Sequence, residues 1–397
     1  MIRTTEFDRG RRTISGCGLS GMMSLSGERV DGQAIRSSIA ILHERSNGLG
    51  GGFACYGIYP ERAEQFALHV MYDTSEAQEK AEEVIGEDFS IDLDERIPTR
   101  FNPNIKNPPV LMRYFVLPRP LLLQEARLTA EDFVLERVMR INAEIPGAYV
   151  FSSGKNMGAF KAVGYAEDIA DFYRLEEYQA YIWIAHGRFP TNTPGWWAGA
   201  HPFTLLDWSV VHNGEISSYG INKRYLEMFG YRCTMRTDTE VMAYLLDLLI
   251  RRHKLPVELA CDVMAAPFWE QIERLPERRQ RLYRALRQVY GGALVNGPFA
   301  IIFGRQGEMV GVNDRIKLRP LVAARQGDWL YLSSEEAGIR AMCPHPEVVW
   351  TPRAGQPVIG RLGSKKVVGE PGAELPTRAD ERVGPSTALG TRQEVAP

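Results

Sequence analysis

Ser15-Gly16-Cys17-Gly18-Leu19-Ser20-Gly21-Met22-Met23-Ser24-Leu25 admits two incompatible readings. Gly16 to Gly21 match the spacing G-x-G-x-x-G, which marks a dinucleotide site only between a strand and a helix. Here no apolar strand precedes the glycines, and Met22-Met23-Ser24-Leu25-Ser26-Gly27 does not begin a helix. The small-residue run from Leu19 to Leu25 reads instead as a strand, with Cys17 immediately before it between two glycines. A cysteine so placed is open to approach from both sides. Its reactive form is the thiolate, which needs a nearby base. Were the chain cut before Cys17, the new α-amine, with an ordinary pKa of ~7.7–8.0, would be that base. Alone, the motif fits a buried structural cysteine in a turn equally well.

Outward from this strand, Asp31 is a candidate cap for a helix with apolar positions Ile35, Ile39 and Leu42. Ser46 to Gly52 read as a loop, and Phe53–Tyr59 and Phe66–Tyr72 as strands. Residues 73–150 read as an inserted α/β lobe, with helices near 75–85 and 130–145 and a strand at Val110–Leu117 after a proline-rich loop. Strands resume at 148–151, 159–163 and 181–186. A helix from Thr239 to about His253, capped by Asp238, follows, and residues 255–290 are charged and helical. Short strands then run from 299 to 333, and from Gly363 to 397 the composition is that of a disordered tail. Many short strands without β-α-β alternation predict antiparallel sheets covered by helices, an α+β fold.

Composition narrows the function. The chain has 397 residues, 44% of them hydrophobic, and a net charge of −2, with no basic footprint for nucleic acid or for a membrane surface. Apolar runs such as Ile39-Ala40-Ile41-Leu42 are far shorter than a membrane span, and residues 1–12 lack the apolar core of a secretory signal. Five dispersed cysteines, at 17, 55, 233, 261 and 343, indicate a reducing cytoplasm and neither a disulfide framework nor a cysteine metal site. His186, His201 and His212 are close in sequence but lack metal-ligand spacing. Ser153-Gly154-Lys155 lacks the rest of a phosphate-binding loop.

Three more segments suit cleavage of a primary amide on an amino acid. Arg188, in His186-Gly187-Arg188-Phe189-Pro190-Thr191, follows an apolar strand, and its planar fork suits a carboxylate; a surface ion pair is the plainer alternative. Trp208 to Glu215 end in Asn213-Gly214, whose amide NH2 and backbone N–H can form an oxyanion hole, although Asn-Gly is also a common turn. Asp238, in Arg236-Thr237-Asp238-Thr239-Glu240, can accept hydrogen bonds from an ammonium, or simply cap a helix.

In order and content these segments, with Ala200-His201-Pro202-Phe203 between the second and third, resemble the class II glutamine amidotransferases. The run from Arg188 to Trp197, His212 to Ile216, Gly297 to Ala300, Asp314 to Pro320 and Ser333-Ser334-Glu335 are similar to the glutamate synthase branch. The resemblance covers roughly residues 15–60 and 180–340. It implies an N-terminal-nucleophile fold, two antiparallel sheets between helix layers, over residues 17–362, with residues 1–16 a propeptide. It implies that Cys17 attacks the glutamine amide through a thioester and that Asn213 and Gly214 hold the oxyanion. Arg188 would bind the α-carboxylate and Asp238 the α-ammonium, with Thr191 lining the pocket. The family's Arg-Gly-x-Asp-Ser-x-Gly segment is replaced here by Glu44-Arg45-Ser46-Asn47-Gly48-Leu49-Gly50. No cofactor is expected in this chain; FMN and an iron–sulfur cluster are expected on a separate synthase subunit that receives the ammonia. Other acceptors fit the motifs too, as in an N-methylglutamate synthase-like or asparagine-forming system, and so does a non-catalytic regulatory homologue that never frees Cys17.

Overall fold

The strand after Cys17 forms as Gly18–Ser24, every residue buried. In this computed structural model, which describes residues 16–189 and 195–372, it lies at the centre of a seven-stranded antiparallel sheet. The order is Val348–Trp350, Val322–Gln326, Trp329–Ser333, Gly18–Ser24, Ile182–Gly187, Gly51–Tyr56 and Met157–Ala162. A five-stranded antiparallel sheet runs Val358–Arg361, Glu308–Asn313, Phe299–Arg305, Trp208–Gly214 and Phe203–Leu205. The two sheets pack face to face through Leu19, Met23, Ile182 and Ile184 on one side and Val211, Ile302 and Met309 on the other. Burying side chains of this kind stabilises the fold by roughly 1.5–3 kcal/mol each. Because the central strands are covered on both faces, they read as apolar runs rather than as alternating patterns.

Helix Gln33–Ile41 turns Ile35 and Ile39 onto the outer face of the larger sheet and packs beside helix Glu336–Met342. Its cap position is Gly32, not Asp31; the Asp31 carboxylate sits one residue earlier and accepts from the Gln33 N–H at 3.0 Å. Helix Asp238–Leu246 covers the smaller sheet and continues as a wider π turn over Asp247–Arg252. Thr237 caps it, its side chain accepting from the Thr239 N–H. Asp238 is therefore the first helical residue rather than the cap, which frees its carboxylate to point elsewhere.

Residues 66–152 form a third, four-stranded antiparallel sheet, in the order Phe89–Arg96, Val110–Pro118, Phe66–Tyr72 and Ala148–Ser152. Phe66–Tyr72 thus belongs to this sheet and not to a main one. Strand Phe89–Arg96, within the span read as a loop, escaped because it is a charged edge strand with mostly exposed side chains. Helix Pro120–Ala126 was also unforeseen. The segment expected to open a tail packs instead: Val367 is buried, and Val368 exchanges backbone hydrogen bonds with Ile359. Residues 373–397 and 1–15 lie outside the described residues.

Candidate active site

Antiparallel register brings the first two predicted residues together. Gly18 faces Gly187 across the sheet, so Cys17 and Arg188 leave adjacent strand ends. The Phe189 N–H donates to the Cys17 Sγ at 3.3 Å. Arg188 is buried, and its own N–H donates to the Gly50 carbonyl at 3.0 Å while its carbonyl accepts from Ser46 Oγ and the Asn47 N–H.

Asn213 and Gly214 end the neighbouring strand of the second sheet. The two sheets are tied there by His186, whose Nε2 lies 3.0 Å from the His212 carbonyl oxygen and so carries the proton. The Asn213 side chain is fully buried, and neither of its amide atoms has a hydrogen-bond partner among the described residues. Its Oδ1 is 3.6 Å from where a Cβ on Gly16 would stand, which places the amide beside the Gly16–Cys17 peptide. A buried amide left without partners costs about 1–3 kcal/mol per group. Gly214 cannot carry a side chain, because its Cβ would stand 2.0 Å from the Pro298 carbonyl oxygen.

Asp238 closes the far side. Its Oδ2 accepts from the Ile216 N–H at 3.1 Å, and its Oδ1 lies 3.4 Å from His212 Nδ1. Burial pushes this carboxyl up, but His212 and the hydrogen bonds outweigh it and hold the group below the usual carboxylate range. Burial lowers the Arg188 guanidinium, opposed by Cys17 and Asp238. The arginine and the aspartate thus frame one site with the thiol. Burial also pushes the Cys17 thiol above its ordinary value, only partly offset by the Phe189 N–H and Arg188. With residues 1–16 attached, the sulfur is a thiol rather than a thiolate near neutral pH. Thr191 falls outside the described residues.

Motif reading passed over three contributors. The Arg45 Nε donates to the Cys17 carbonyl at 3.3 Å, and its Nη1 pairs with Glu335 at 2.6 Å. Arg319 lies with its Nη1 3.5 Å from the Gly16 Cβ position. The signals were present: Arg45 stands in the Glu44–Gly50 segment, Arg319 in Asp314–Pro320 and Glu335 in Ser333–Glu335. His186, His201 and His212 do converge, with the His186 and His201 rings stacked at 4.0 Å and both His201 and His212 reaching Thr239 Oγ1. Among the described residues no cluster of His, Cys, Asp and Glu has a metal-holding arrangement, and no helix is long and apolar enough to cross a membrane.

The family described as glutamine amidotransferases class-II matches residues 102–233, a span that holds Arg188, Asn213 and Gly214. An uncharacterized protein of Archaeoglobus fulgidus is 51% identical over 90% of this chain and 97% of its own length. A protein of Methanothermobacter thermautotrophicus provisionally named glutamine amidotransferase is 25% identical over 84% of this chain and 95% of its own. The glutamine–fructose-6-phosphate aminotransferase (isomerizing) of Sulfurisphaera tokodaii is 34% identical, but only over 23% of this chain and 16% of that enzyme.

Proposed function

We propose that this chain, whose residues 102–233 match the class II glutamine amidotransferases, hydrolyses L-glutamine to glutamate and ammonia through Cys17, after removal of residues 1–16. The observation that carries this reading is the Asn213 amide, buried without partners beside the Gly16–Cys17 peptide. An oxyanion formed on the glutamine amide carbon would meet the Asn213 NH2 and the Gly214 N–H. Arg188 takes the α-carboxylate in a bidentate fork and Asp238 the α-ammonium. The freed α-amine accepts the thiol proton as sulfur attacks the amide carbon, and returns it to the departing nitrogen. The C–N bond breaks, ammonia leaves, and a glutamyl thioester remains. Water then adds to the thioester, releasing glutamate and the thiol.

The acceptor of the ammonia is proposed to be a glutamate-synthase-type subunit carrying FMN and an iron–sulfur cluster. The similarity of Arg188–Trp197 and His212–Ile216 to that branch supports this reading. Free ammonia in water is mostly protonated and lost as a nucleophile, so a productive system needs a water-excluded path to a second site. The test follows glutamate formation and ammonia leakage by the processed subunit, alone and with a candidate synthase subunit, 2-oxoglutarate and reductant. Weak glutaminase activity that rises on reconstitution supports the assignment. Full activity indifferent to any synthase would mark a stand-alone glutaminase.

A further inference from the structure

Lys161 lies on strand Met157–Ala162 at the edge of the larger sheet, and it is 3% exposed. Its Nζ donates to the Ala198 carbonyl at 2.8 Å and stands 4.7 Å from the centroid of the Phe203 ring. Lys161 faces Gly52 across the sheet. A Cβ on Gly52 would stand 2.6 Å from the His201 carbonyl oxygen, so the 198–202 turn passes directly over this glycine. Ala200 in the same turn closes on the Arg188 arm: the Ala200 Cβ and the Arg188 Cδ stand 3.3 and 3.4 Å from one point, the Cβ position of Gly50. The Arg188 arm is therefore held in a slot between the 46–50 loop and a turn whose position is fixed from behind by a buried amine.

We propose that Lys161 is a positioning residue for substrate recognition: by holding the Ala198–His201 turn, it sets the slot that aims Arg188 at the substrate α-carboxylate. This rests on the glutamine-binding reading given above. A buried lysine is a costly way to hold a turn, because removing an ammonium from water is opposed by several kcal/mol unless it is well paired. Burial lowers this amine to about 7, against the opposing pull of Glu240, with Arg188 lowering it further. A methionine of similar length would fill the same volume without that cost, so what the amine adds is the hydrogen bond that fixes the turn.

The experiment measures glutaminase kinetics and thermal unfolding of processed wild type, Lys161→Met and Lys161→Gln. Gln keeps an N–H donor one atom shorter than the lysine. For Lys161→Met we expect the glutamine KM to rise at least about tenfold, kcat to stay within about threefold and Tm to hold or rise. Lys161→Gln should recover most of the lost KM. An unchanged KM in Lys161→Met would overturn the proposal. So would equal KM defects in both variants accompanied by a large fall in Tm, which would make Lys161 part of the fold alone. If Lys161→Met does not fold, Lys161→Leu takes its place as the variant without a donor and is read by the same criteria against Lys161→Gln. Failure of wild type to turn over glutamine strikes the functional reading instead, and is seen before either variant is assayed.

Discussion

Asn213 and Arg188 are assigned different work, and kinetics separate them. The oxyanion exists only after attack, so Asn213→Ala should lower kcat by on the order of 10²–10³-fold with little change in KM. In the proposed mechanism Arg188 meets a carboxylate that is charged throughout, so Arg188→Lys, which keeps the charge and loses the fork, should act mainly on KM. Steady-state glutamine hydrolysis checks both, and a swapped pattern would exchange the two roles. At this scale the sequence offers candidates where residue type and chemistry coincide, as at Cys17, Asn213 and Asp238, and the fold brings these near one another. The sequence was least readable where a side chain acts through another. Lys161 is an ordinary strand residue until the Ala198 carbonyl is seen against it, and nothing local links Arg45 to Cys17, 28 residues away.

The helix Asp238–Leu246 shows how an element serves a site. Thr237 caps it, so the Asp238 carboxylate is left to hold the Ile216 N–H and to face His212. Thr237→Ala should cost about 1 kcal/mol of stability and loosen the first turn. Because Asp238 rides on that turn, the glutamine KM should rise with it. Denaturant unfolding together with glutaminase assays tests this, and a stability loss with no effect on KM would detach the cap from the site. Elements whose apolar period survives burial were legible: Phe66–Tyr72 forms at the residues expected, and the helix at Ala130–Glu144 to within a residue. The charged strand Phe89–Arg96 was not, because an exposed edge imposes no apolar alternation. Partnership was not legible either. Nothing within Phe66–Tyr72 says that it pairs with Val110–Pro118 and Ala148–Ser152 rather than with the main sheet.

The whole molecule stores neutral histidines in its interior. His69 and His186 are lowered to about 3, and His201 is lowered well below its ordinary value, burial being the main cause for each. Their folded pKa values lie below the unfolded ones, so the stability they confer is complete above about pH 6.5 and is lost as pH falls towards the folded values. Together they should remove up to about 4 kcal/mol between pH 7 and 5.5. Thermal unfolding across that window checks this, and a flat Tm would show that the three rings accept protons while folded. Burial pushes the Cys17 thiol above its ordinary value, so the proposed reaction needs a base beside it, the role given to the α-amine freed by removal of residues 1–16. The most direct measurement is peptide mass spectrometry of active protein after reaction with an electrophilic diazoketone analogue of glutamine. The account predicts one labelled peptide, beginning at Cys17 and modified on its sulfur. Active protein still carrying Met1, or label on any other residue with Cys17 untouched, would contradict it.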